Sequence, residues 1–370
     1  MTEEGRIVRV GSRKSQLALI QTHGVVAKLK TFFPNITFQI ISMSTTGDKV
    51  LDKALSKIGE KSLFTKELEY ALEDKRVDFV VHSLKDLPTT LPPGMVIGAV
   101  CKRDNPHDAI MLHPKHKGKT LADLPKDSVI GTSSLRRASQ LRRKYPHLKY
   151  SDIRGNLNTR KKKLDEADNY DAIVLAVAGL ERMGWSDRID QILLPDECMY
   201  SVSQGAVAVE CRDGDLETIR LLSKLHHFET VIRVVAERAF LRTLEGGCSV
   251  PVAIHTEIID DNLFMKGGVF SIDGTESVIM KQDTSIASND EPPTKKLSPT
   301  SPKQYSSIVA EGEDQDVLNA CEKLGMELAQ KVGKAGGRDI LAAARKETDA
   351  AILAQQQAPF LKQDTPKVVS

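Results

Sequence analysis

A strand-to-helix junction occurs twice in this chain, and its repetition is the feature that most constrains the fold. The first copy is Val10-Gly-Ser-Arg-Lys-Ser-Gln-Leu-Ala18, and the second is Ile130-Gly-Thr-Ser-Ser-Leu-Arg-Arg-Ala-Ser-Gln-Leu141. Each contains a short β-rich run, a glycine, hydroxyl residues, basic residues and a helical pattern. Around both copies, β-rich runs alternate with helical patterns. That alternation is typical of α/β layers, and the repeat predicts two similar α/β domains.

Two nearly continuous apolar runs lie after charged helical segments. Val77-Asp-Phe-Val-Val-His82 follows the segment 64–73, and Tyr170-Asp-Ala-Ile-Val-Leu-Ala176 follows the segment 157–166. Continuous apolar runs of this length are typical of strands that are covered on both faces. The same pairing of helix and strand in each half supports two α/β domains.

The pattern changes beyond about residue 225, where a helical run, Val231 to Leu244, precedes three strand-like runs and an Ala- and Lys-rich helical end. This order predicts a third, α+β unit. Asp283 to Ser307 contains EPPTKK and SPTSPK, is too polar to build a core, and predicts a surface insertion. Residues 355–370 have the composition of a tail. We expect neither segment to carry chemistry.

Charge and cysteine usage exclude several classes of function. The chain has 52 basic and 50 acidic side chains and a net charge of +2, so a general nucleic-acid footprint is absent. It has no apolar signal region and no run that spans a bilayer, so we expect a cytoplasmic protein without membrane contact. Its five cysteines are scattered, and therefore neither a disulfide scaffold nor a metal site is predicted. The P-loop, G-x-G-x-x-G and H-E-x-x-H motifs are absent.

Cys248 lies on a glycine turn, Leu244-Glu-Gly-Gly-Cys-Ser-Val-Pro251, between a helix pattern and a strand pattern. Little side-chain bulk surrounds a thiol on such a turn, so a ligand can reach it, and the thiolate is the nucleophilic form. The alternative is a small buried hydrophobe, which is the usual state of a free cysteine. The turn by itself leaves both interpretations open.

Arginines recur where strands give way to helices. Such junctions present unpaired backbone N–H groups and the positive end of the helix dipole, which favour anions. Guanidinium groups suit carboxylates and phosphates because they form paired hydrogen bonds. Each arginine alone is typical of a solvated surface charge, but their recurrence at the ends of strands predicts a polyanion-binding cleft. The arginines concerned are Arg13, Arg136, Arg137, Arg154, Arg160 and Arg182.

The segment His82-Ser-Leu-Lys-Asp-Leu-Pro88 leaves a predicted strand directly, which puts Ser83, Lys85 and Asp86 at one sheet edge. A carboxylate at that position can stabilise a cation or move a proton. Asp86 also has the context of a turn aspartate that is satisfied by local backbone, and the residues alone support both interpretations. Residues 44–66, rich in Gly, Ser and Lys, have the composition of a lid.

The chain resembles the porphobilinogen deaminase family, also called hydroxymethylbilane synthase, from about Arg6 to Gly268 and again in the carboxyl-terminal helical region. The motifs that carry the resemblance are VGSRKSQLALIQT, STTGDK, GEKSLFTKELE, DFVVHSLKDLP, KRDNPHDA, GTSSLRRASQL, DIRGNLNTR, LAVAGLERMGW, SQGAVAVE and AERAFLRTLEGGCSVPVA. Within that family, the polar insertion resembles the animal form. The Gln-rich tail has no counterpart and is assigned no role.

The resemblance implies a transferase of tetrapyrrole (haem) biosynthesis. Such an enzyme condenses four porphobilinogen molecules head to tail, releases ammonia, and frees linear hydroxymethylbilane with water. Its cofactor is a covalent dipyrromethane, and the family's attachment residue matches Cys248, which implies a thioether. The family's catalytic aspartate matches Asp86. A carboxylate at that position stabilises the positive charge on the reacting pyrrole and assists proton transfer.

The resemblance also implies a set of residues that bind the carboxylates of cofactor and substrate. Each pyrrole carries one acetate and one propionate, so the growing chain accumulates negative charge. Phe64 would stack on a pyrrole ring, and Gln204-Gly205 would act as both hinge and cofactor contact. The complete set of binding residues is Arg13, Ser15, Gln21, Phe64, Ser83, Lys85, Thr132, Ser133, Ser134, Arg136, Arg137, Arg154, Arg160, Arg182, Gln204 and Gly205.

The implied fold is α/β, with two periplasmic-binding-protein-like α/β domains, a central cleft and a small α+β third domain. The first domain is expected to be discontinuous, at 1–101 and 207–222. The second is expected at 102–206, and the third at 223–370 with the cofactor-attachment loop at 245–249. Enzymes of this family are generally monomers, and we expect a monomer here.

Two alternatives from other classes follow from the residues. A non-catalytic polyanion-binding module of the same fold would account for the arginines, but it leaves Cys248 and the third domain unexplained. A cysteine-nucleophile hydrolase would need a histidine base beside Cys248. The histidines His82, His107 and His255 fit no hydrolase pattern, which disfavours this second alternative.

Overall fold

The computed structural model describes residues 5–45, 65–244, 250–287, 303–310 and 312–357. Its strands are β1 (Ile7–Arg13), β2 (Thr37–Met43), β3 (Phe79–Ser83), β4 (Met95–Val100), β5 (Asp108–Leu112), β6 (Val129–Gly131), β7 (Lys149–Ser151), β8 (Ala172–Ala176), β9 (Gln191–Leu193), β10 (Val207–Arg212), β11 (Val252–Ile259), β12 (Asn262–Phe270), β13 (Ser277–Ser285), β14 (Gln304–Tyr305) and β15 (Ile308–Val309). Its α-helices are α1 (Gln16–Phe32), α2 (Lys66–Glu73), α3 (Leu135–Lys144), α4 (Leu157–Glu166), α5 (Val177–Arg182), α6 (Leu216–Ser223), α7 (Phe228–Thr243), α8 (Gln315–Val332) and α9 (Arg338–Gln357).

The first sheet has the strand order β14-β15-β4-β10-β3-β1-β2. Strand β1 pairs in parallel with β2 and β3, whereas β10 is antiparallel to β3 and β4. Apolar residues of α1 and α6, such as Leu29 and Leu222, cover one face, and residues of α2 and α7, such as Leu68 and Val235, cover the other. Strand β3 is therefore buried on both faces, as its continuous apolar run predicts.

The second sheet has the order β7-β6-β8-β5-β9 and repeats the central arrangement of the first. In each sheet the strand of the repeated junction, β1 or β6, lies between two parallel neighbours, and an antiparallel strand follows. Gly11 is paired with Val80 and Gly131 with Ile173, so the two junctions leave their sheets in the same register. The repeat in the sequence is thus a repeat of topology.

The third unit contains the antiparallel sheet β11-β12-β13 and the helices α7, α8 and α9. Helices α7 and α8 approach closely at Gly325, where a Cβ atom would lie 2.0 Å from the carbonyl oxygen of Ala236. Only glycine allows this approach, and the pair buries apolar residues of both helices, including Val235, Leu324 and Leu328.

The predicted insertion at 283–307 is wrong at both ends. Asp283 to Ser285 complete β13, where they pair with Asn262 to Phe264. At the other end, β14 and β15 form a hairpin that extends the first sheet, because Ile308 pairs with Ile97 of β4. Tyr305 is fully buried in this hairpin. The hairpin thus lies in the first sheet, although its residues were predicted within the third domain, and the remaining polar segment, 288–302, lies outside the described residues.

The predicted fold class is confirmed, with two α/β sheets enclosed by helices and a smaller α+β unit. The helical pattern predicted before the Cys248 turn corresponds to α7, and the three following runs correspond to β11, β12 and β13. Helix α9 continues to Gln357, past the start of the predicted tail. None of the helices within the described ranges combines the length and apolar composition that a bilayer crossing requires.

Candidate functional site: a basic cleft around the Asp86 turn

Asp86 lies on a rigid turn with its side chain exposed to solvent. The turn is a short 3₁₀ segment, Leu84–Asp86, that follows β3 directly. Its backbone is held because the Leu84 amide donates to the carbonyl of Ala206 at 2.9 Å and the Leu84 side chain is fully buried. Arg238 of α7 donates to the carbonyls of Leu87 at 3.3 Å and Pro88 at 2.6 Å. The fold therefore fixes the backbone and leaves the carboxylate accessible.

The first junction forms one wall of a pocket beside this turn. Ser15 caps α1 by accepting a hydrogen bond from the Ala18 amide at 3.4 Å. Gln21, one helical turn further, donates from Nε2 to Ser83 Oγ at 2.9 Å. The predicted site residues that line this pocket together are Arg13, Ser15, Gln21, Ser83 and Asp86.

The second junction is built in the same way on the other sheet. Ser134 caps α3 by accepting from the Arg137 amide at 3.4 Å, and Thr132 Oγ1 accepts from the Ser134 amide at 3.2 Å. The Ser133 hydroxyl donates to the Ile153 carbonyl at 2.9 Å, which ties the junction to the start of the Arg154 segment. The three hydroxyl residues thus shape the junction through local hydrogen bonds.

Arg136 and Arg137 lie buried against one carboxylate, that of Asp108 on β5. Arg136 Nη1 is 2.7 Å from Asp108 Oδ2, and Arg137 Nη2 is 2.6 Å from Asp108 Oδ1. Burial favours the neutral acid, but the two guanidinium groups outweigh it and hold the pKa of Asp108 below its usual value. Asp108 is therefore an anion at neutral pH.

Lys85 connects the Asp86 turn to this cluster. Its Nζ donates to Gln204 Oε1 at 3.3 Å, and Gln204 Nε2 donates to Asp108 Oδ1 at 2.9 Å. Burial lowers the pKa of Lys85 to about 8, with Asp86 and Asp108 opposing and Arg137 assisting the shift. A negatively charged ligand group beside Lys85 would therefore stabilise its protonated form.

Arg154 and Arg160 follow the second junction. Burial, together with the nearby charges of Arg137 and Arg154, lowers the pKa of Arg160 to about 10, and Asp86 opposes this shift. Burial also lowers the pKa of Arg154, against the effect of Asp152. Arg160 is thus within electrostatic range of Arg154, of Arg137 and of Asp86, which links predicted residues of both domains.

Arg182 and Gly205 lie together at the crossing between the domains, bonded to each other rather than to the Asp86 pocket. Arg182 Nη2 donates to the Gly205 carbonyl at 2.6 Å, and its Nε donates to Asp104 Oδ2 at 2.8 Å. Gly205 has φ of +88°, and a Cβ atom there would lie 2.6 Å from the Asp104 carbonyl oxygen. Only glycine fits this crossing.

Two predicted residues, Phe64 and Cys248, lie outside the described residues, as does most of the predicted lid at 44–66. The described chain stops at Leu244, the carboxyl-terminal cap of α7, and resumes at Val250, just before β11.

Sequence reasoning missed two residues that shape this site, Asp108 and Arg238. Asp108 lies in the KRDNPHDA motif, but its partners are on α3 and next to β10, far along the chain. Arg238 lies in the apolar stripe of α7 and is 1% exposed, which nothing in the helical pattern indicates. In the sequence, Asp108 is marked only as a single carboxylate at the start of an apolar run, and Arg238 only as a single charge within an apolar helical pattern.

Taken together, these features define a two-domain α/β protein with a basic cleft around one exposed carboxylate. Lys85 of the first domain and Arg160 of the second are both within electrostatic range of the exposed carboxylate of Asp86, and burial lowers the pKa of each cation. Carboxylate groups of a ligand are suitable partners for such cations because they accept charge-assisted hydrogen bonds.

Comparison with known sequences gives the family. Residues 8–220 match the model described as "Porphobilinogen deaminase, dipyromethane cofactor binding domain", and residues 231–295 match "Porphobilinogen deaminase, C-terminal domain". Porphobilinogen deaminase of Gloeobacter violaceus is 55% identical over 271 residues, which cover 73% of this chain and 82% of the relative. The enzyme of Desulforamulus reducens is 46% identical over 334 residues, which cover 90% and 96%.

The chain belongs to the porphobilinogen deaminase family. It is a transferase of tetrapyrrole biosynthesis that condenses porphobilinogen into hydroxymethylbilane, and its first two domains bind a dipyrromethane cofactor. The non-catalytic alternative is not favoured.

Among solved structures, a mutant form of the OxyR2 regulatory domain from Vibrio vulnificus matches at 14% identity with a TM-score of 0.39, covering 61% of this chain and 96% of that one. The BenM effector binding domain with benzoate matches at 14% identity with a TM-score of 0.36, covering 63% and 93%. The family assignment rests on the sequence matches.

Proposed function

We propose that Asp86 is the catalytic carboxylate of this enzyme and that Cys248 carries the dipyrromethane through a thioether. The observation that carries the proposal is the placement of Asp86, which is exposed on a rigid turn, flanked by Lys85 and within the electrostatic reach of Arg160. A carboxylate held in this way meets a bound ligand without rearrangement of the backbone.

The charges of the cleft fit the cofactor and the substrate. When bound, dipyrromethane supplies the pyrrole to which porphobilinogen units are added. Its acetate and propionate groups are complementary to the cations of the cleft, because guanidinium and ammonium groups bind carboxylates through charge-assisted hydrogen bonds. We assign carboxylate binding to Arg13, Lys85, Arg154 and Arg160. Ser15, Gln21, Ser83 and the hydroxyl residues Thr132, Ser133 and Ser134 shape the two walls of the cleft.

In this proposal Asp86 stabilises positive charge on the reacting pyrrole rings and assists the removal of a proton from them. Loss of ammonia from porphobilinogen leaves a positive charge that extends to the pyrrole nitrogen, and an ionised carboxylate beside that N–H stabilises it. The condensation then releases a proton from the attacked ring carbon, and the same carboxylate assists its removal.

The remaining predicted residues have supporting roles in this proposal. Three of the arginines already donate hydrogen bonds to protein groups, namely Arg136, Arg137 and Arg182. In this proposal each contacts the ligand only through N–H groups that those bonds do not use. Gln204 and Gly205 lie at the crossing between domains, and Phe64 is assigned to the ring-stacking position. The Cys248 loop follows α7, the helix whose Arg238 also holds the Asp86 turn.

Intact mass spectrometry tests the role of Cys248. Purified protein should show a mass excess of two pyrrole units, localised by peptide mapping to Cys248, and should react with Ehrlich's aldehyde reagent. A Cys248→Ser variant should lack both signals, whereas a Cys101→Ser variant, which alters a buried thiol, should retain them. An active enzyme without the mass excess would refute the attachment.

The Asp86→Asn variant tests the catalytic carboxylate. We expect turnover to fall by at least about 100-fold, because a general acid–base group contributes a factor of that order. The melting temperature should stay close to that of the unmodified protein because Asp86 is exposed. Unchanged turnover would reduce Asp86 to a turn residue.

Three narrower predictions from the sequence stay predictions. The cyanobacterial and other bacterial relatives do not address the resemblance of the polar insertion to the animal form of the family. A monomeric state would be tested by light scattering during size exclusion, and a dimer would contradict it. A cytoplasmic location, without nucleic-acid or membrane partners, would be tested by cell fractionation of the tagged protein.

A further inference from the structure

Asp108 is a buried carboxylate that receives hydrogen bonds from four side chains, the weakest of them from Cys198 Sγ to Oδ2 at 3.7 Å. It is the first residue of β5 and is 0% exposed. Arg136 Nη1 donates to Oδ2 at 2.7 Å, while Arg137 donates to Oδ1 from Nε at 3.0 Å and from Nη2 at 2.6 Å. Gln204 Nε2 donates to Oδ1 at 2.9 Å. Both oxygens of this carboxylate are therefore bonded to predicted cleft residues.

The same arginines are held at a second point each. Arg136 Nη1 also donates to the Met199 carbonyl at 2.8 Å, and Arg137 Nη1 donates to the Val174 carbonyl at 2.9 Å. A planar guanidinium bonded at two points has little rotational freedom. Asp108 therefore determines where the positive charges at the start of α3 lie.

The influence of Asp108 extends into the first domain. Gln204, which bonds Asp108 through Nε2, accepts from Lys85 Nζ through Oε1 at 3.3 Å. Lys85 is adjacent to Asp86 in the rigid turn. One carboxylate thus sets the positions of two cations of the second domain directly and of one cation of the first domain through an amide.

The charge balance around Asp108 leaves positive charge for a ligand. Asp108 contributes one negative charge to Arg136 and Arg137, which contribute two positive charges. Lys85 and Arg160 add further positive charge within electrostatic range. Without Asp108 these cations would repel one another and spread apart.

We propose that Asp108 is a positioning residue for substrate binding, which holds Arg136, Arg137 and, through Gln204, Lys85 in the arrangement that matches the carboxylates of the pyrrole chain. This inference rests on the proposed function. It assigns to Asp108 no contact with the reacting atoms.

The test uses Asp108→Glu, which keeps the charge and shifts the carboxylate by one methylene group. We expect the KM for porphobilinogen to rise by about tenfold, within the limit of about 100-fold that a misplacement of roughly an ångström can cost, while kcat changes by less than about twofold. A purely structural role would lower the active fraction and leave KM unchanged.

Asp165→Glu is the matched control. Asp165 belongs to the same domain and also pairs with two cations, Arg188 at 2.8 Å and Lys161 at 2.6 Å, at the far end of α4 from Arg160. We expect its KM and kcat to equal those of the unmodified enzyme. An equal rise of KM in both variants, or no rise in Asp108→Glu, would overturn the proposal. If Asp108→Glu does not fold, D108N/R136Q replaces it, and a KM no higher than that of R136Q alone overturns the proposal.

Calorimetric titration of porphobilinogen into Asp86→Asn protein separates this inference from the proposed function. If Asp86→Asn binds porphobilinogen and D86N/D108E binds it about tenfold more weakly, both are supported. Equal binding by the two proteins overturns the role of Asp108 alone. Absence of binding by Asp86→Asn overturns the proposed binding cleft, and the role of Asp108 with it.

Discussion

The two strand-to-helix junctions have the same backbone arrangement, but their arginines differ in burial and in surroundings. In the first sheet, Val207 of β10 pairs with Ser83, the last residue of β3. In the second sheet, Asp108 of β5 pairs with Ala176, the last residue of β8, so Asp108 occupies the register position that Val207 has in the first sheet. An apolar residue in one sheet thus corresponds to a carboxylate in the other.

The arginines of the two junctions also differ in position. Arg13 lies two residues before the capping Ser15, is half-buried and lines the Asp86 pocket. Arg136 and Arg137 lie two and three residues after the capping Ser134 and are buried against Asp108. The comparison teaches that a repeated motif determines where a helix begins, while a residue from a distant antiparallel strand determines what its arginines bind.

The largest effect should come from removing the buried charge at the second junction. Arg136→Gln leaves Asp108 with Arg137 as its one guanidinium partner, and we expect the free energy of unfolding to fall by about 3 kcal/mol, because removing one member of a buried ionic cluster leaves the buried carboxylate less well compensated. Arg13→Gln should cost less than about 1 kcal/mol, since Arg13 is half-buried. Urea denaturation of both variants measures the difference, and equal losses would break the comparison.

The pH dependence of substrate binding should reveal the link between the two halves through Lys85. Since burial lowers the pKa of Lys85 to about 8, its charged fraction falls about tenfold per pH unit above that value, and KM should rise by up to that factor between about pH 8 and 9. Lys85→Arg should remove the rise because arginine stays protonated. A rise of the same size in Lys85→Arg would assign it to another group.

The same group has a predictable effect on stability. A lysine pKa that is lower in the folded than in the unfolded state means that the unfolded chain binds more protons in the window from about 8 to 10.5. The contribution of Lys85 to stability should therefore increase as the pH rises through that window. Thermal melting of the unmodified protein and of Lys85→Arg across this range gives the sign, and a decrease that depends on Lys85 would contradict it.

The helix caps should show a smaller effect that is the same at both junctions. Ser15→Ala and Ser134→Ala each remove a hydroxyl that accepts a backbone hydrogen bond at 3.4 Å, and each should lower the free energy of unfolding by about 1 kcal/mol. Denaturation curves of the two variants sharpen the comparison. A difference above about 1 kcal/mol would mean that the junctions are not equivalent even in their backbones.

The smallest effect is expected far from both junctions. Replacing residues 288–302 by a Gly/Ser linker of equal length should leave kcat and KM unchanged and shift the free energy of unfolding by less than about 0.5 kcal/mol. The replacement stops short of β13 and of the β14–β15 hairpin, which belong to sheets. Loss of activity in a folded variant would give this segment a role in the cleft.

Much of the architecture follows from local patterns. The apolar runs at β3 and β8 and the amphipathic or apolar helices before and after them are predicted correctly, because burial on both faces leaves a continuous apolar run in the sequence. The hairpin at residues 304–309 escaped prediction since two strands of two residues have no measurable period. It forms only because the edge of β4 is there to pair with it.

The sequence by itself determined the repeat, the two junctions with their capping serines, the family and the candidate residues Asp86 and Cys248, because these depend on local spacing and motif. Only the tertiary structure decided the partners of the charges. Asp108 meets Arg136 and Arg137 because β5 runs antiparallel to β8, and Gln204 reaches Lys85 because the chain crosses back between the domains. Ion pairing acts through space, so no local pattern carries it.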